Sequence, residues 1–311
     1  MPCQTPLQTE SRAVHKNHLY GHLLAALTIL IWGTTLVSTK TLLLVLSPEE
    51  IIVYRFALAY GLLLVVSRDA LGWRGWREEL LFAGLGLTGV TLYFWAENAA
   101  LKYTLSANVG LIVSSIPIMT AMIAHFTTHD EKFGWNLLAG FVFAMAGIAL
   151  IIYNGRVLQL NPLGDTLALA CSVAFSGYSV LARKVAVDYG KLVVVRKTFF
   201  WGLFAALPVW LLSGGAHAAM PKLDGAAWAN LLYLAIVASV LGYGMWNKAV
   251  GLIGSVRTSN YIYLMPLITM LAAVLVLNER ITPIMLAGGA LILIGVYVNE
   301  HRRFRPARAA Q

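Results

Sequence analysis

The stretch 98–117, NAALKYTLSANVGLIVSSIP, is echoed by 247–266, NKAVGLIGSVRTSNYIYLMP. Each begins with asparagine, carries a serine at the same place (Ser106 and Ser255) and ends on proline. The echo extends both ways. Glu131, Leu138, Ala139, Gly140 and Gly147 are answered at one constant offset by Glu279, Leu286, Ala287, Gly288 and Gly295. Upstream, Gly33 stands seven residues before Lys40, as Gly177 stands before Lys184. Small slips in the offset correspond to loop insertions. An apolar chain that reads twice in this way points to two similar membrane bundles facing each other.

Composition agrees. Hydrophobic residues make up 59% of the chain and charged residues 12%, whereas a soluble domain carries about 25% charged residues. The apolar residues fall into ten runs, 21–43, 49–67, 79–101, 105–127, 135–153, 163–184, 192–212, 227–250, 258–277 and 283–298. Most are near the ~20 residues that cross a bilayer as a helix. Their length and lack of alternation argue against strands, since backbone groups in lipid must be satisfied within each segment. The fold predicted is an all-α integral membrane protein with ten transmembrane helices in two inverted five-helix repeats. Its units are a tail (1–20), a first repeat (21–153), a linker (154–162), a second repeat (163–298) and a basic tail (299–311).

Ser47-Pro48, Asn161-Pro162 and Thr282-Pro283 each place a capping side chain before proline, a helix-start signal. The polar stretch before Leu19 is expected to be disordered, and the first run is too long for a cleavable signal peptide. An even number of spans puts both termini on one side. That side gathers most basic residues, among them Arg68, Arg74, Arg77, Arg183, Lys184 and Arg302, against Lys40, Lys102, Arg156, Lys222 and Arg280 opposite. The positive-inside rule therefore places both termini in the cytoplasm, with the chain in the cytoplasmic membrane. Five spans per half make the second half run opposite to the first. The net charge of +9 lies beside spans and calls for no nucleic-acid partner.

Cys3 and Cys171 imply no disulfide framework, and His125 with His129 lacks carboxylate or thiol partners for a metal. No cofactor is expected. Gly84, Gly86 and Gly89 fit a dinucleotide-binding pattern, but they lie inside an apolar span rather than between strand and helix. Close helix packing is the better reading, as it is for Gly140, Ala144 and Gly147 and for Gly288 and Gly295.

This combination resembles the EamA family of the drug/metabolite transporter superfamily. The resemblance covers 21–298. It rests on the ten-span plan, on Asn98 through Ser106 and Pro117 to Glu131, and on the echo from Asn247 through Ser255 and Pro266 to Glu279. It implies a substrate pathway between the halves and, for many members, export of small metabolites.

Polar groups at membrane depth are costly to bury alone, so they are expected to face the bundle interior or a wet cavity. Trp32, Thr35 and Thr39 share one helical face, while Ser172, Ser176 and Ser179 make a hydroxyl stripe. Tyr93 and Glu97 lie one turn apart, as do Tyr243 and Asn247, with Trp246 beside them. Ser114 and Ser115 precede Pro117; Asn260 and Tyr263 precede Pro266. The substrate-binding set predicted is Trp32, Thr35, Tyr93, Glu97, Ser114, Ser176, Tyr243, Trp246, Asn247 and Tyr263, with Pro117 and Pro266 as hinges. The competing reading gives the hydroxyls back-bonds to their own or neighbouring helices.

Arg55 and Glu97 are the sharpest features. At ~1.5 Å per residue both lie roughly 7–10 Å below the outer boundary. They form either a buried pair holding two spans together, or an outer gate whose carboxylate binds protons or a cationic substrate group. Lys197 and Lys248 are expected to snorkel to the cytoplasmic interface. The second half lacks a match for Tyr93 and Glu97, an asymmetry suited to binding off-centre. Aromatic walls suit an apolar group, and hydroxyls and amides an amino or carboxyl group. The function predicted is therefore a permease exporting an amino acid or similar amphiphile by alternating access, with protons as a possible coupling ion. The rival is a drug or lipid translocator with a laterally open cavity. An integral-membrane enzyme would need a nucleophile, metal cluster or clustered acid–base groups at the membrane boundary, and the sequence offers none.

Overall fold

The computed structural model describes residues 6–66, 73, 75–103, 106–128, 134–153, 161–185, 189, 191–213, 223–268, 271 and 282–301. Among these residues the regular structure is helical throughout. The first half contains α1 (Pro6–Leu42), α2 (Pro48–Val66), α3 (Trp76–Tyr103), α4 in two pieces (Ser106–Val113 and Ile116–Thr127) and α5 (Trp135–Tyr153). The second contains α6 (Pro162–Val185), α7 (Lys191–Leu212), α8 (Gly225–Ile253), α9, which opens with Ser255–Asn260 and a 3-10 turn Tyr261–Leu264, and α10 (Pro283–His301). Six segments are long and apolar enough to cross a membrane: Asn17–Leu42, Trp76–Tyr103, Val109–Thr127, Pro162–Val185, Leu192–Leu212 and Gly225–Ile253. Trp135–Leu150 and Leu286–Asn299 are shorter apolar helices.

Local chemistry sets the starts. Before α2, the Glu50 amide donates to Ser47 Oγ (3.2 Å) while the Ser47 amide donates to Glu50 Oε2 (2.7 Å), a reciprocal capping box. The Gly164 amide donates to Asn161 Oδ1 (3.1 Å) at the head of α6, and the Ala227 amide to Asp224 Oδ1 (2.7 Å) at the head of α8. One expectation fails. The polar stretch before Leu19 is helical from Pro6, not disordered; it is rich in good helix formers such as Leu7, Gln8, Glu10, Ala13 and Lys16. Glu131, Glu279, His129 and residues 154–160 of the linker lie outside the described residues.

Helices of one half pack mainly on helices of the other. α5 lies along α10, α2 on α7, and the second piece of α4 on α9. α1 packs on α8 and α3 on α6; α3 also meets α7, as α2 meets α8. Exchanging the first five helices for the last five leaves these pairings unchanged. Glycines allow the close approaches. A Cβ on Gly147 would collide with the Gly288 carbonyl and Ile292, and one on Gly295 would lie 2.6 Å from the Gly140 carbonyl. The glycines of the dinucleotide-like pattern serve the same end. Gly86 lies against the Gly202 backbone, and Gly89 against the Tyr178 ring. Leu23, Leu27 and Leu30 of α1 and Phe204 of α7 point outward, as a lipid-facing surface requires.

Lys197 corrects another expectation. It does not snorkel: it is 3% exposed, and its ammonium pairs with Glu79 of α3. Trp201 Nε1 donates to the other oxygen of Glu79 (3.0 Å), and the ammonium lies 5.0 Å from the Phe82 ring centre. A carboxylate on a neighbouring helix outbids the interface because both charges are then compensated where they stand. Lys248 is half-buried, with its ammonium 4.2 Å from the Tyr20 ring centre.

Two stability measurements follow from this packing. Gly147→Val is expected to lower the melting temperature of the detergent-solubilised protein, at a cost of ~1–3 kcal/mol for overpacking, while Gly61→Ala, with nothing within 4 Å of the added carbon, is expected to leave it unchanged. Lys197→Met alone strands the Glu79 charge and is expected to cost ~3 kcal/mol or more. Lys197→Met with Glu79→Leu is expected to recover most of that loss in the same melting assay.

Candidate functional site

A cavity opens where α1, α2, α3, α4, α6, α8 and α9 meet. Trp32 and Thr35 line it from α1, Arg55 from α2, and Tyr93, Phe94 and Glu97 from α3. Val113 and Ile116 flank it at the break in α4, Phe175 enters from α6, Tyr243 from α8, and Ile262 and Met265 from α9. It holds about 440 Å³ of atom-free space, part of it continuous with the exterior. The room left inside it for water-sized molecules is about 30 Å³, well below the ~300–1,000 Å³ usual for small-molecule sites, so this conformation is a narrow one that must widen to admit a solute.

One wall is aromatic. The Trp32 ring centre lies 5.0 Å from Trp246, 5.6 Å from Phe175 and 5.7 Å from Tyr243. The other wall carries charge. The Tyr93 hydroxyl donates to Glu97 Oε1 (2.8 Å). Arg55 Nε donates to Ser239 Oγ of α8 (2.7 Å), and its guanidinium carbon lies 4.3 Å from the Phe94 ring centre. Arg55 and Glu97 are 3% and 7% exposed. They form no ion pair within 4.0 Å. The direct pair considered from the sequence is therefore replaced by separate anchors, Ser239 for the cation and Tyr93 for the anion.

Two widened turns shape this wall. Residues Leu87–Leu92 of α3 and Tyr233–Leu241 of α8 are π-helical. Such turns loosen the carbonyl ladder and recur at functional sites. Here the loosened carbonyls are captured by cavity aromatics: Trp32 Nε1 donates to the Ala238 carbonyl (3.0 Å), and the Tyr243 hydroxyl to the Gly89 carbonyl. Gly89 and Ala238 are separated by the interval that separates Asn98 from Asn247. Ser239 Oγ reaches back five residues to the Leu234 carbonyl (2.8 Å), which fixes it as the acceptor for Arg55. Gly242 lets Trp32 lie close, since a Cβ there would stand 2.6 Å from the indole nitrogen.

The proline-containing helices are broken where the cavity touches them. α4 is interrupted at Ser114–Ser115, just before Pro117, and α9 tightens into its 3-10 turn just before Pro266. Two hydroxyls of α6 lie against the first break, Ser172 Oγ 3.2 Å from the Ile112 carbonyl and Ser176 Oγ 3.1 Å from the Ile116 carbonyl, while each bonds back more closely to its own helix, at the Ala168 (2.9 Å) and Ser172 (2.7 Å) carbonyls.

Of the residues singled out from the sequence, Trp32, Thr35, Arg55, Tyr93, Glu97 and Tyr243 come together around the cavity. Ser114, Ser176, Trp246, Asn247 and Tyr263 are buried outside its lining. Ser114 bonds back to the Gly110 carbonyl (2.7 Å), and Asn247 Oδ1 accepts from Tyr178 (2.5 Å). Trp246 backs Trp32, and Tyr263 packs with Ala144, Ile148 and Ile292. Sequence reasoning missed the apolar lining, Phe94, Val113, Ile116, Phe175, Ile262 and Met265. Phe175 alone carried a signal, since it sits on the serine stripe of α6.

The EamA-like transporter family matches this chain twice, over residues 19–153 and 162–299. A relative from Archaeoglobus fulgidus, described as an uncharacterized transporter, is 31% identical over 91% of this chain and 98% of its own. A probable amino-acid metabolite efflux pump from Salmonella typhimurium is 27% identical over 93% of this chain and 97% of its own. A probable terminal-alkyne amino-acid exporter from Streptantibioticus cattleyicolor is 25% identical over 75% and 77%. A crystal structure at 20% identity superposes with a TM-score of 0.73 over 92% of this chain and 99% of that one, so the fold is shared. The chain belongs to the EamA-like transporter family and is a multi-pass membrane transporter.

Proposed function

We propose that this protein is a secondary transporter of the cytoplasmic membrane that exports an amino acid or a similar small amphiphile by alternating access. The observation that carries the reading is the cavity between the halves, with an aromatic wall facing two buried, mutually unpaired charges. Aromatic surface suits an apolar side chain, and fixed charges suit an ionic head. The names of the Salmonella and Streptantibioticus relatives point to the same cargo and direction.

The architecture belonging to this reading is ten transmembrane helices in two inverted repeats, 21–153 and 163–298, with both termini cytoplasmic. The exchangeable helix pairings and the twofold family match support it. Thr35, Tyr93, Glu97, Trp32 and Tyr243 form the substrate wall. Ser114, Ser176, Trp246, Asn247 and Tyr263 support it from behind: Asn247 accepts from Tyr178 of α6, Ser176 touches the Ile116 carbonyl of α4, Ser114 bonds back within α4, and Trp246 and Tyr263 pack through their rings. Arg55 and Glu97 gate the cavity, and the breaks before Pro117 and Pro266 are the hinges. Protons are the coupling ion, carried by Glu97.

Purified protein in proteoliposomes, given a panel of radiolabelled amino acids and hydrophobic cations with and without a pH gradient, tests this. Accumulation of an amino acid driven by the gradient is the expected result. Glu97→Gln is expected to abolish the gradient dependence while leaving the melting temperature within a few degrees of the parent. Uptake of hydrophobic cations alone would assign the protein to drug translocation instead. Gradient dependence that survives Glu97→Gln would remove the coupling role.

A further inference from the structure

We propose that the cavity selects its cargo by both charges of a free α-amino acid head, Arg55 receiving the carboxylate and Glu97 the ammonium. This deepens the amino-acid reading above and rests on it. Both side chains are more than nine-tenths buried and line one cavity. Each is oriented by a neutral partner and not by the other. The Ser239 bond occupies Nε and, with the Phe94 ring under the guanidinium, sets its plane. Among the described residues the terminal guanidinium nitrogens make no hydrogen bond, so their fork remains for a planar anion. Tyr93 occupies Oε1 of Glu97, and Oε2 makes no hydrogen bond among the described residues. It remains for a cationic donor.

Two opposite charges left apart in a low-dielectric site are costly, and a ligand that compensates both gains from each. A ligand carrying one charge leaves the other uncompensated. That penalty is the basis of selection, and it acts against rejected solutes as much as for the accepted one. The aromatic wall of Trp32, Phe175 and Tyr243 is then left to the side chain of the cargo, which favours large apolar residues. Ser239 is a positioning residue. It belongs to α8 while Arg55 belongs to α2, so the anion receptor is assembled from both halves of the chain.

The test is competition against exchange of radiolabelled phenylalanine in proteoliposomes. The competitors are phenylalanine, its methyl ester, phenethylamine and N-acetylphenylalanine. In the parent protein the three derivatives are expected to compete ~10-fold more weakly or worse than phenylalanine, the loss of one charge-assisted contact. Arg55→Gln is expected to close the gap between phenylalanine and its methyl ester while N-acetylphenylalanine stays excluded. Glu97→Gln is expected to do the converse. Ser239→Ala keeps both charges and is expected to narrow the ester gap partway, which serves if Arg55→Gln does not fold. Equal competition by phenylalanine and its methyl ester in the parent protein would overturn the head-group assignment and leave amino-acid transport standing. If no amino acid in the panel is exchanged while a hydrophobic cation is, the amino-acid reading falls and the assignment falls with it.

Discussion

With no water in the hydrocarbon core of a bilayer, every backbone N–H and carbonyl there must find its partner within the protein. The two π-helical turns, Leu87–Leu92 in α3 and Tyr233–Leu241 in α8, are where this constraint bites hardest. Each loosens the carbonyl ladder at membrane depth, and each is answered by an aromatic side chain from another helix. Trp32 closes one at Ala238, and Tyr243 closes the other at Gly89. These bonds decide where the aromatic wall stands. The widened turn of α8 also delivers Ser239 to Arg55. Removing these bonds would free the two rings that they hold in the cavity wall.

Scaffold and cargo chemistry are divided differently between the halves. The scaffold is close to symmetric: α5 and α10 meet through glycines from both sides, and the helix pairings survive exchange of the halves. The chemistry is not. Arg55, Tyr93 and Glu97 all come from the first half, while Tyr243 and Ser239 come from the second. A duplicated bundle can thus keep the symmetry that rocking motions use while presenting a polar, one-sided site. The buried Lys197–Glu79 pair is a second link between the halves, and it lies outside the cavity lining.

Much of the scaffold was legible in the sequence because its determinants are local or periodic. Apolar runs gave the helices, Ser47 and Asn161 gave their starts, and regularly spaced glycines gave the close contacts. The prolines at 117 and 266 marked the places where α4 and α9 break their regular pattern. The site was legible only where it is polar. Phe94, Ile116 and Ile262 line the cavity, yet in an apolar chain they look no different from residues that face lipid. Ser176 and Asn247 stood out as polar, but Ser176 bonds back to the Ser172 carbonyl of its own helix and touches the Ile116 carbonyl, and Asn247 Oδ1 accepts from Tyr178. Lys197 was misread because its partner, Glu79, is 118 residues away in the chain. The π turns left no mark in composition, since their cause is the fit of one helix against another.

The claim at the centre is that one cavity between the two halves is reached in turn from each side of the membrane. Single cysteines placed at Thr35 and Phe175, in a chain whose Cys3 and Cys171 are replaced by alanine, report on it directly. Labelling by a membrane-impermeant maleimide is expected from both faces in separate experiments on oriented vesicles, and slowed by saturating substrate. Positions that resist the reagent from both faces while the protein transports would contradict the account.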